Sequence, residues 1–316
     1  MSALKIIKPQ AGFQEAAIDC PADIAIIGGS AGCGKSFVLL YEPLRYVFDA
    51  TPNFNGIIFR RESVQISATG GLWDKARELY MQLPDSHRPK FLGGRNYFKL
   101  EFPTGFDLQL AHLNQSDSHY AYQGTEICYI AFDELTHFTE QQFFYLFSRN
   151  RSTCDVIPYI RASTNPQGSG WVKRLISPWI YPDDYPIELL RGSPIPEMQG
   201  VLLYMINLQG HTIMGATEAD ILNQIPYEVA KDLPPGAIRT ITFVAGKLSE
   251  NQILLQGNPG YYGNLLSLPE SERIQLLDGR WIDLDNDESR LYTNSAISDI
   301  FSNNFVKPNG QRYLTC

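Results

Sequence analysis

No apolar run in this chain approaches the ~20 residues that a helix needs to cross a bilayer, so no membrane-spanning segment is expected. The opening MSALKIIKPQ lacks the apolar core of a secretory leader. Cysteine is scarce: Cys20, Cys33, Cys128, Cys154 and Cys316 are odd in number and show no metal-ligand spacing. That excludes a disulfide framework or a zinc site, and the expected compartment is reduced and intracellular. Basic charge is also short, 26 Lys and Arg against 34 Asp and Glu, for a formal net charge of -8. A generally basic nucleic-acid binder is excluded; any DNA contact must come from a local patch or from several subunits together. Internal repeats and low-complexity tracts are missing too. What remains is a chain of 316 residues, 44% hydrophobic, enough for one large α/β domain or two smaller ones.

Strand and helix signals alternate through the first half. DIAIIGG reads as a short buried strand, apolar throughout, as in a parallel sheet covered on both faces. Ser36 to Tyr46 reads as a helix that Pro43 bends or interrupts. GIIFRR (Gly56 to Arg61) is a second buried strand, and Trp73 to Leu83 is helical by spacing. YFKLEF, PTG and FDLQLAHL (Tyr97 to Leu113) read as a β-hairpin with a Pro-Gly turn. ICYIAF (Ile127 to Phe132) is another buried strand, followed by a helix from Thr139 to Arg151 with Thr139 as N-cap. Pro158 to Thr164 is a further strand. The pattern implies a mostly parallel, doubly wound sheet flanked by helices. Beyond Gly170 proline and glycine become frequent and periodicity weakens, so this stretch reads as an irregular lid or linker; RYLTC at the end is strand-like.

Between the first strand and its helix, Gly29-Ser30-Ala31-Gly32-Cys33-Gly34-Lys35-Ser36 fits the G-x-x-x-x-G-K-[ST] phosphate loop. Glycines let successive backbone N–H groups converge on phosphate oxygens without Cβ clashes. The helix start adds its positive dipole end. Lys35 is placed to reach the β- and γ-phosphates, and the Ser36 hydroxyl to ligate Mg²⁺. The expected ligand is a nucleoside triphosphate.

Asp133-Glu134 follows the third buried strand. Asp133 can hold the metal opposite Ser36, and Glu134 can polarise an attacking water. Ser163-Thr164-Asn165-Pro166 ends a later strand, and strand C-termini gather at the ligand crevice of a parallel sheet. The Asn165 amide reads either as a sensor of the γ-phosphate or as part of an Asn-Pro turn.

These three motifs, in this order, resemble the ATPase half of the large terminase subunit of tailed bacteriophages. GFQEAAIDCPADIAIIGGSAGCGKS, YQGTEICYIAFDELTHF, FYLFSRNRS, STNPQGSGWVK and GNPGYYGNLLSLPESERIQLLDGRW all look like segments of that family. The resemblance implies an α/β P-loop fold of the RecA-like additional-strand type. It implies ATP with Mg²⁺, with Glu134 as catalytic base and Ser163, Thr164 and Asn165 as a coupling motif. It also implies a pentameric motor that docks on the portal protein, works with a small terminase subunit in the host cytoplasm, and drives double-stranded DNA into a procapsid. Phe13-Gln14 resembles the adenine-recognising glutamine motif, with Gln10 as the alternative. The expected organisation is a P-loop core over 1–170, a lid or linker over 171–285, and over 286–316 a linker and the start of a truncated nuclease domain.

Two departures stand out. Family members often carry an arginine in the phosphate loop or before the glycine preceding the acidic strand; Ser30-Ala31 and Gln123-Gly124 stand there instead. Arg149 and Arg151 are then the candidates for an arginine finger reaching a neighbouring subunit, with Arg60 and Arg61 as competitors in cis. The chain also stops at RYLTC, where the nuclease half would supply a metal-binding Asp, so no DNA cleavage is expected from it alone. A monomer with weak ATPase activity is expected in isolation. The competing readings are a helicase-like P-loop motor and a nucleotide-binding, capsid-docking subunit without turnover.

Overall fold

The apolar run Ile24–Gly29 is buried along its whole length and forms β1. In the computed structural model, which describes residues 7–48, 51, 53–94 and 97–282, it is joined by nine further strands. They are β2 (Asn55–Arg60), β3 (Lys90–Gly94), β4 (Tyr97–Glu101), β5 (Asp107–His112), β6 (Tyr129–Phe132), β7 (Tyr159–Ser163), β8 (Leu203–Leu208), β9 (His211–Gly215) and β10 (Arg239–Gly246). All ten lie in one sheet of order β3-β4-β5-β2-β6-β7-β1-β10-β8-β9. The six central strands from β5 to β10 pair in parallel, and antiparallel hairpins close both edges. β7 stands between β1 and β6, which places one additional strand between the strand of the phosphate loop and that of the acidic pair.

Side-chain alternation divides the central strands between two core layers. Ile24 and Ile26, Ile57 and Phe59, and Ile130 and Phe132 face one layer. Ile27, Ile58, Tyr129 and Ala131 face the other. The helices in chain order are α1 (Phe13–Ile18), α2 (Lys35–Tyr41), α3 (Leu44–Phe48), α4 (Ser63–Ser67), α5 (Leu72–Tyr80), α6 (Glu140–Phe147) and α7 (Trp171–Leu175). Then follow α8 (Glu218–Leu222), α9 (Tyr227–Ala230), α10 (Gln252–Gly257), α11 (Tyr261–Leu266) and α12 (Glu270–Leu276). Val38, Leu44 and Ala76 of α2, α3 and α5 cover the second layer. Phe143, Leu146 and Leu175 of α6 and α7 cover the first.

Pro43 separates α2 from α3, because it has no N–H for the helical ladder and its ring crowds the preceding turn. Thr139 caps α6 in a reciprocal pair: its hydroxyl accepts from the Gln142 N–H, and Gln142 Oε1 accepts from the Thr139 N–H, each at 3.1 Å. The helix stops at Phe147 rather than running to Arg151. Asn150 turns inward there and donates to the carbonyls of Ile127, Cys128 and Tyr159, which pulls the chain out of the helix.

Beyond Gly170 the chain is less irregular than expected. It contributes β8, β9 and β10, and β10 lies directly beside β1, so the sheet is continuous across the boundary expected at residue 170. β8 and β9 are joined by Gln209 (φ 53°) and Gly210 (φ 84°), a two-residue left-handed turn of the kind that matches strand twist. Residues 286–316, including RYLTC, lie outside the described residues.

One buried ion pair sits within this frame. Arg161 on β7 donates to the carbonyls of Cys20 and Ala22 and stands 3.6 Å from Glu42, whose carboxylate is 1% exposed. Burial pushes the Glu42 carboxyl up, against the pull of Arg161 and Arg45. Arg161→Ala leaves that carboxylate without its deepest partner and is expected to cost ~3–5 kcal/mol. Arg151, paired with Glu126 at 3.5 Å and 55% exposed, is expected to cost at most ~1 kcal/mol on the same change. Thermal melts of the two variants test the contrast; equal losses overturn it.

Candidate active site

The phosphate loop leaves β1 at Gly29, whose φ of 107° and approach to β10 both require glycine: a Cβ there would meet the Gly246 carbonyl at 2.0 Å. The Ser30 N–H donates to that carbonyl at 2.9 Å, and the Ala31 N–H donates to the Leu276 carbonyl at the end of α12 at 2.6 Å. Gly34, at φ 100°, lies so close to Gln14 that a Cβ would meet its Nε2 at 2.3 Å. Lys35 is buried at the start of α2; its Nζ donates to the Ser30 carbonyl and to Asn165 Oδ1, both at 2.8 Å, and to the Gly29 carbonyl at 3.3 Å. The Cys33 thiol is held up by burial despite Lys35 beside it, so it stays protonated at neutral pH.

Asp133 follows β6 and is fully buried. The Ser36 hydroxyl donates to both its oxygens at 3.2 Å, and the Ser163 hydroxyl at the end of β7 donates to Oδ1 at 2.5 Å. Arg60 at the end of β2 pairs with Oδ2 at 2.7 Å. The register explains this meeting: Phe59 is level with Phe132, so Arg60 and Asp133 leave neighbouring strands together.

Glu134 has φ 65°, a left-handed conformation that costs a non-glycine residue roughly 1 kcal/mol or more and persists where neighbours enforce it. Its N–H donates to the Ser163 hydroxyl at 3.1 Å, and its two carboxylate oxygens accept from Asn165 Nδ2 at 3.0 and 2.9 Å. Asn165 therefore links Lys35 on one side to Glu134 on the other. Arg60, Glu134, His137 and Asn165 line a cavity of about 390 Å³.

On the other side of the loop Gln10, Gln14, Gly34, Phe37 and Leu254 line a largely apolar cavity of about 610 Å³. Gln14 is 4% exposed; its Oε1 accepts from the Gln10 N–H at 3.0 Å and its Nε2 donates to the Cys33 carbonyl at 3.4 Å. Gln10 donates to Asn251 Oδ1 at 2.8 Å, and Asn251 donates to the Gly32 carbonyl at 2.6 Å. The N-terminal glutamines are thus tied to the phosphate loop, directly and through Asn251.

Residues 29–36, Asp133, Glu134, Ser163 and Asn165 come together, with Gln14 beside them and Arg60 added. Arg149 and Arg151 do not join them. Arg149 stacks on Tyr145 and its carbonyl accepts from the Ile127 N–H, at the end of β6 opposite Asp133. Three participants escape sequence reading: Gly246, Leu276 and Asn251. Their sequence separation is more than 200 residues from the loop they brace, and none belongs to a motif with a mechanism of its own. The quoted stretch GNPGYYGNLLSLPESERIQLLDGRW does contain Leu276 and was the available signal.

A family model, terminase large subunit, T4likevirus-type, N-terminal, matches residues 26–299. No curated protein matches the chain. Among solved structures, the large terminase of a thermophilic bacteriophage in complex with ADP matches at TM-score 0.51 and 14% identity, over 87% of this chain and 54% of that one. An arginine-to-alanine mutant of the Thermus phage P74-26 large terminase ATPase domain matches at TM-score 0.52 and 13% identity, over 87% of this chain and 95% of that one. The chain thus spans about half of the first relative and nearly all of the second. At these identities the likeness speaks for the fold.

Proposed function

This chain belongs to the terminase large subunits of the T4likevirus type, in their N-terminal part, and on that premise we propose that it hydrolyses ATP to drive double-stranded DNA into a procapsid. The observation that carries the reading is the meeting of Lys35, Asn165 and Glu134, from three separate stretches of sequence, in one hydrogen-bonded line. A further solved structure, a large terminase of a thermophilic bacteriophage in complex with ATP-gamma-S, matches at TM-score 0.50 and lends support to a nucleoside triphosphate as ligand.

The adenine enters the apolar cavity beside Gln14 and Phe37, and the phosphates lie along the loop. Lys35 exchanges the Ser30 carbonyl and Asn165 for phosphate oxygens. Asn165, released on that side, changes its hold on Glu134, which then accepts the proton of the attacking water. That linkage makes Asn165 the part that senses the terminal phosphate. The hydroxyl of Ser36 and the carboxylate of Asp133, all hard oxygen donors, fit Mg²⁺. When bound, the metal neutralises the charge that develops between the β- and γ-phosphates. The cation contributed by the protein in cis is Arg60. It already points at Asp133, lines the cavity of Glu134, and has an Nε without a hydrogen-bond partner among the described residues. The lid is the segment from Leu248 to Ile282, which braces the loop through Asn251 and Leu276. The partners are a portal protein and a small terminase subunit, with a pentamer as the assembled form. Among the described residues no helix is long and apolar enough to cross a membrane.

Steady-state ATP hydrolysis tests this. We expect slow turnover by the chain alone, abolished by chelation of divalent cations and raised by portal, small subunit and linear double-stranded DNA. No hydrolysis under any of these conditions overturns the reading in favour of a docking subunit without turnover.

A further inference from the structure

At the end of β6 away from the phosphate loop, two cysteines meet. Cys128 is buried just ahead of the strand, and Cys154 lies on the segment joining α6 to β7. Their sulfurs are 3.3 Å apart. The Ser152 hydroxyl lies between them, accepting from the Cys128 thiol at 3.0 Å and standing 2.7 Å from the Cys154 sulfur. The same oxygen accepts from the Cys154 N–H at 2.9 Å, which fixes the turn that presents Cys154. Among the described residues no group of three His, Cys, Asp or Glu residues is placed to hold a metal, so a thiolate metal site is not the use of this pair. The sulfurs need to close by only roughly 1.3 Å to reach bonding distance.

We propose that Cys154 and Cys128 form a peroxide-responsive dithiol, in which Cys154 is the sulfur attacked by a hydroperoxide and Cys128 resolves it into a disulfide. The order follows from access. Cys154 is partly exposed, whereas Cys128 is 3% exposed and packed in the core. Burial also pushes the Cys128 thiol up, which disfavours it as the first nucleophile. In the first step the Cys154 sulfur attacks one peroxide oxygen. The O–O bond breaks, Cys154 becomes a sulfenic acid, and the departing oxygen takes the thiol proton and leaves as water when the oxidant is hydrogen peroxide. In the second step the Cys128 sulfur attacks the Cys154 sulfur, the S–O bond breaks, and the hydroxyl departs with the Cys128 proton as a second water. Two thiols lose two electrons and two protons, and one peroxide takes them up.

The consequence is local. Residues 149–157 carry Arg149 and Arg151 and are held to the sheet by Asn150 and by the Ser152 contacts. The cross-link turns that hold into a covalent one, at the end of the central strands opposite Asp133.

The test uses the full chain carrying Cys316→Ser, so that no cross-link arises through that residue. The folded protein is exposed to hydrogen peroxide in small excess, blocked with N-ethylmaleimide, digested without reductant and mapped by mass spectrometry. One cross-linked peptide pair joining Cys128 to Cys154 is expected, lost on reduction. Native tryptic cleavage at Arg151 should slow severalfold in the oxidised chain. Cys128→Ser should accumulate a Cys154 sulfenic acid that dimedone traps, and Cys154→Ser should leave Cys128 unmodified. Oxidation of Cys154 to the sulfinic acid while Cys128 remains open to alkylation after unfolding overturns the proposal. So does a cross-link that recruits Cys20 or Cys33 instead.

Discussion

Lys35→Ala is expected to reduce ATP hydrolysis by a factor on the order of 10³ or more, because it removes the one ammonium placed inside the loop to meet the charge of the transition state. The residue is 7% exposed, so its charge acts in a site poor in water, where each interaction counts for more. Two further effects follow from its present partners. The Ser30 and Gly29 carbonyls lose their donor, which costs ~1–3 kcal/mol if nothing replaces it. Asn165 loses its hydrogen bond on the phosphate side, so Glu134 is no longer coupled to what occupies the loop. Nucleotide affinity should fall together with turnover. Measuring both, with a thermal melt to show that the variant is folded, separates loss of the site from loss of the fold. Wild-type turnover by a folded Lys35→Ala chain refutes the assignment.

The parts of this site that were legible in the sequence are those written in contiguous residues. The phosphate loop needs glycines at fixed offsets, and the positive φ of Gly29, Gly32 and Gly34 bears that out. Asp133 and Glu134 follow β6, and Ser163 to Asn165 close β7; both strands are buried at every position, so each shows in the sequence as a short, mostly apolar run. The sheet beyond Gly170 was not legible. Arg239–Gly246 is as buried in its middle as β1, yet it is flanked by DLPPGA and GKLSE, and its polar Arg239, Thr240 and Thr242 break the apolar run. Thr240 is polar for a reason only the fold shows, since its hydroxyl accepts from the Asp23 N–H and donates to the Asp23 carboxylate, just ahead of β1. The arginines show the same limit. Nothing local distinguishes Arg60 from Arg61 or from Arg149; register across β2 and β6 selects it. A lysine's or an arginine's target is a tertiary fact, whereas a glycine's backbone angle is a local one.

Glu134→Gln should lower turnover by roughly 10²- to 10⁴-fold while leaving nucleotide binding near that of the native chain. The substituted amide keeps an oxygen for Asn165 Nδ2, so the line to Lys35 survives, but it cannot take a proton from water. This variant also decides which arginine serves the site. Arg60→Ala should be comparably slow, and Arg60→Lys should regain part of the loss, since it returns the charge beside the buried Asp133 without the planar fork. If Arg60 acts in cis, base and cation belong to one subunit. Mixing Glu134→Gln with Arg60→Ala on a portal then creates no interface with both groups intact on the same nucleotide, and activity should not return. Mixing Glu134→Gln with Arg149→Ala or Arg151→Ala should give no more than the activity of the arginine variant's own subunits, which keep Arg60 and Glu134. Recovery beyond that level would mean that the finger comes from a neighbour, as the position of Arg151 on the surface would permit. Recovery in the Arg60 mixture, with both variants shown to be present in the assembled ring, would remove Arg60 from the cis role.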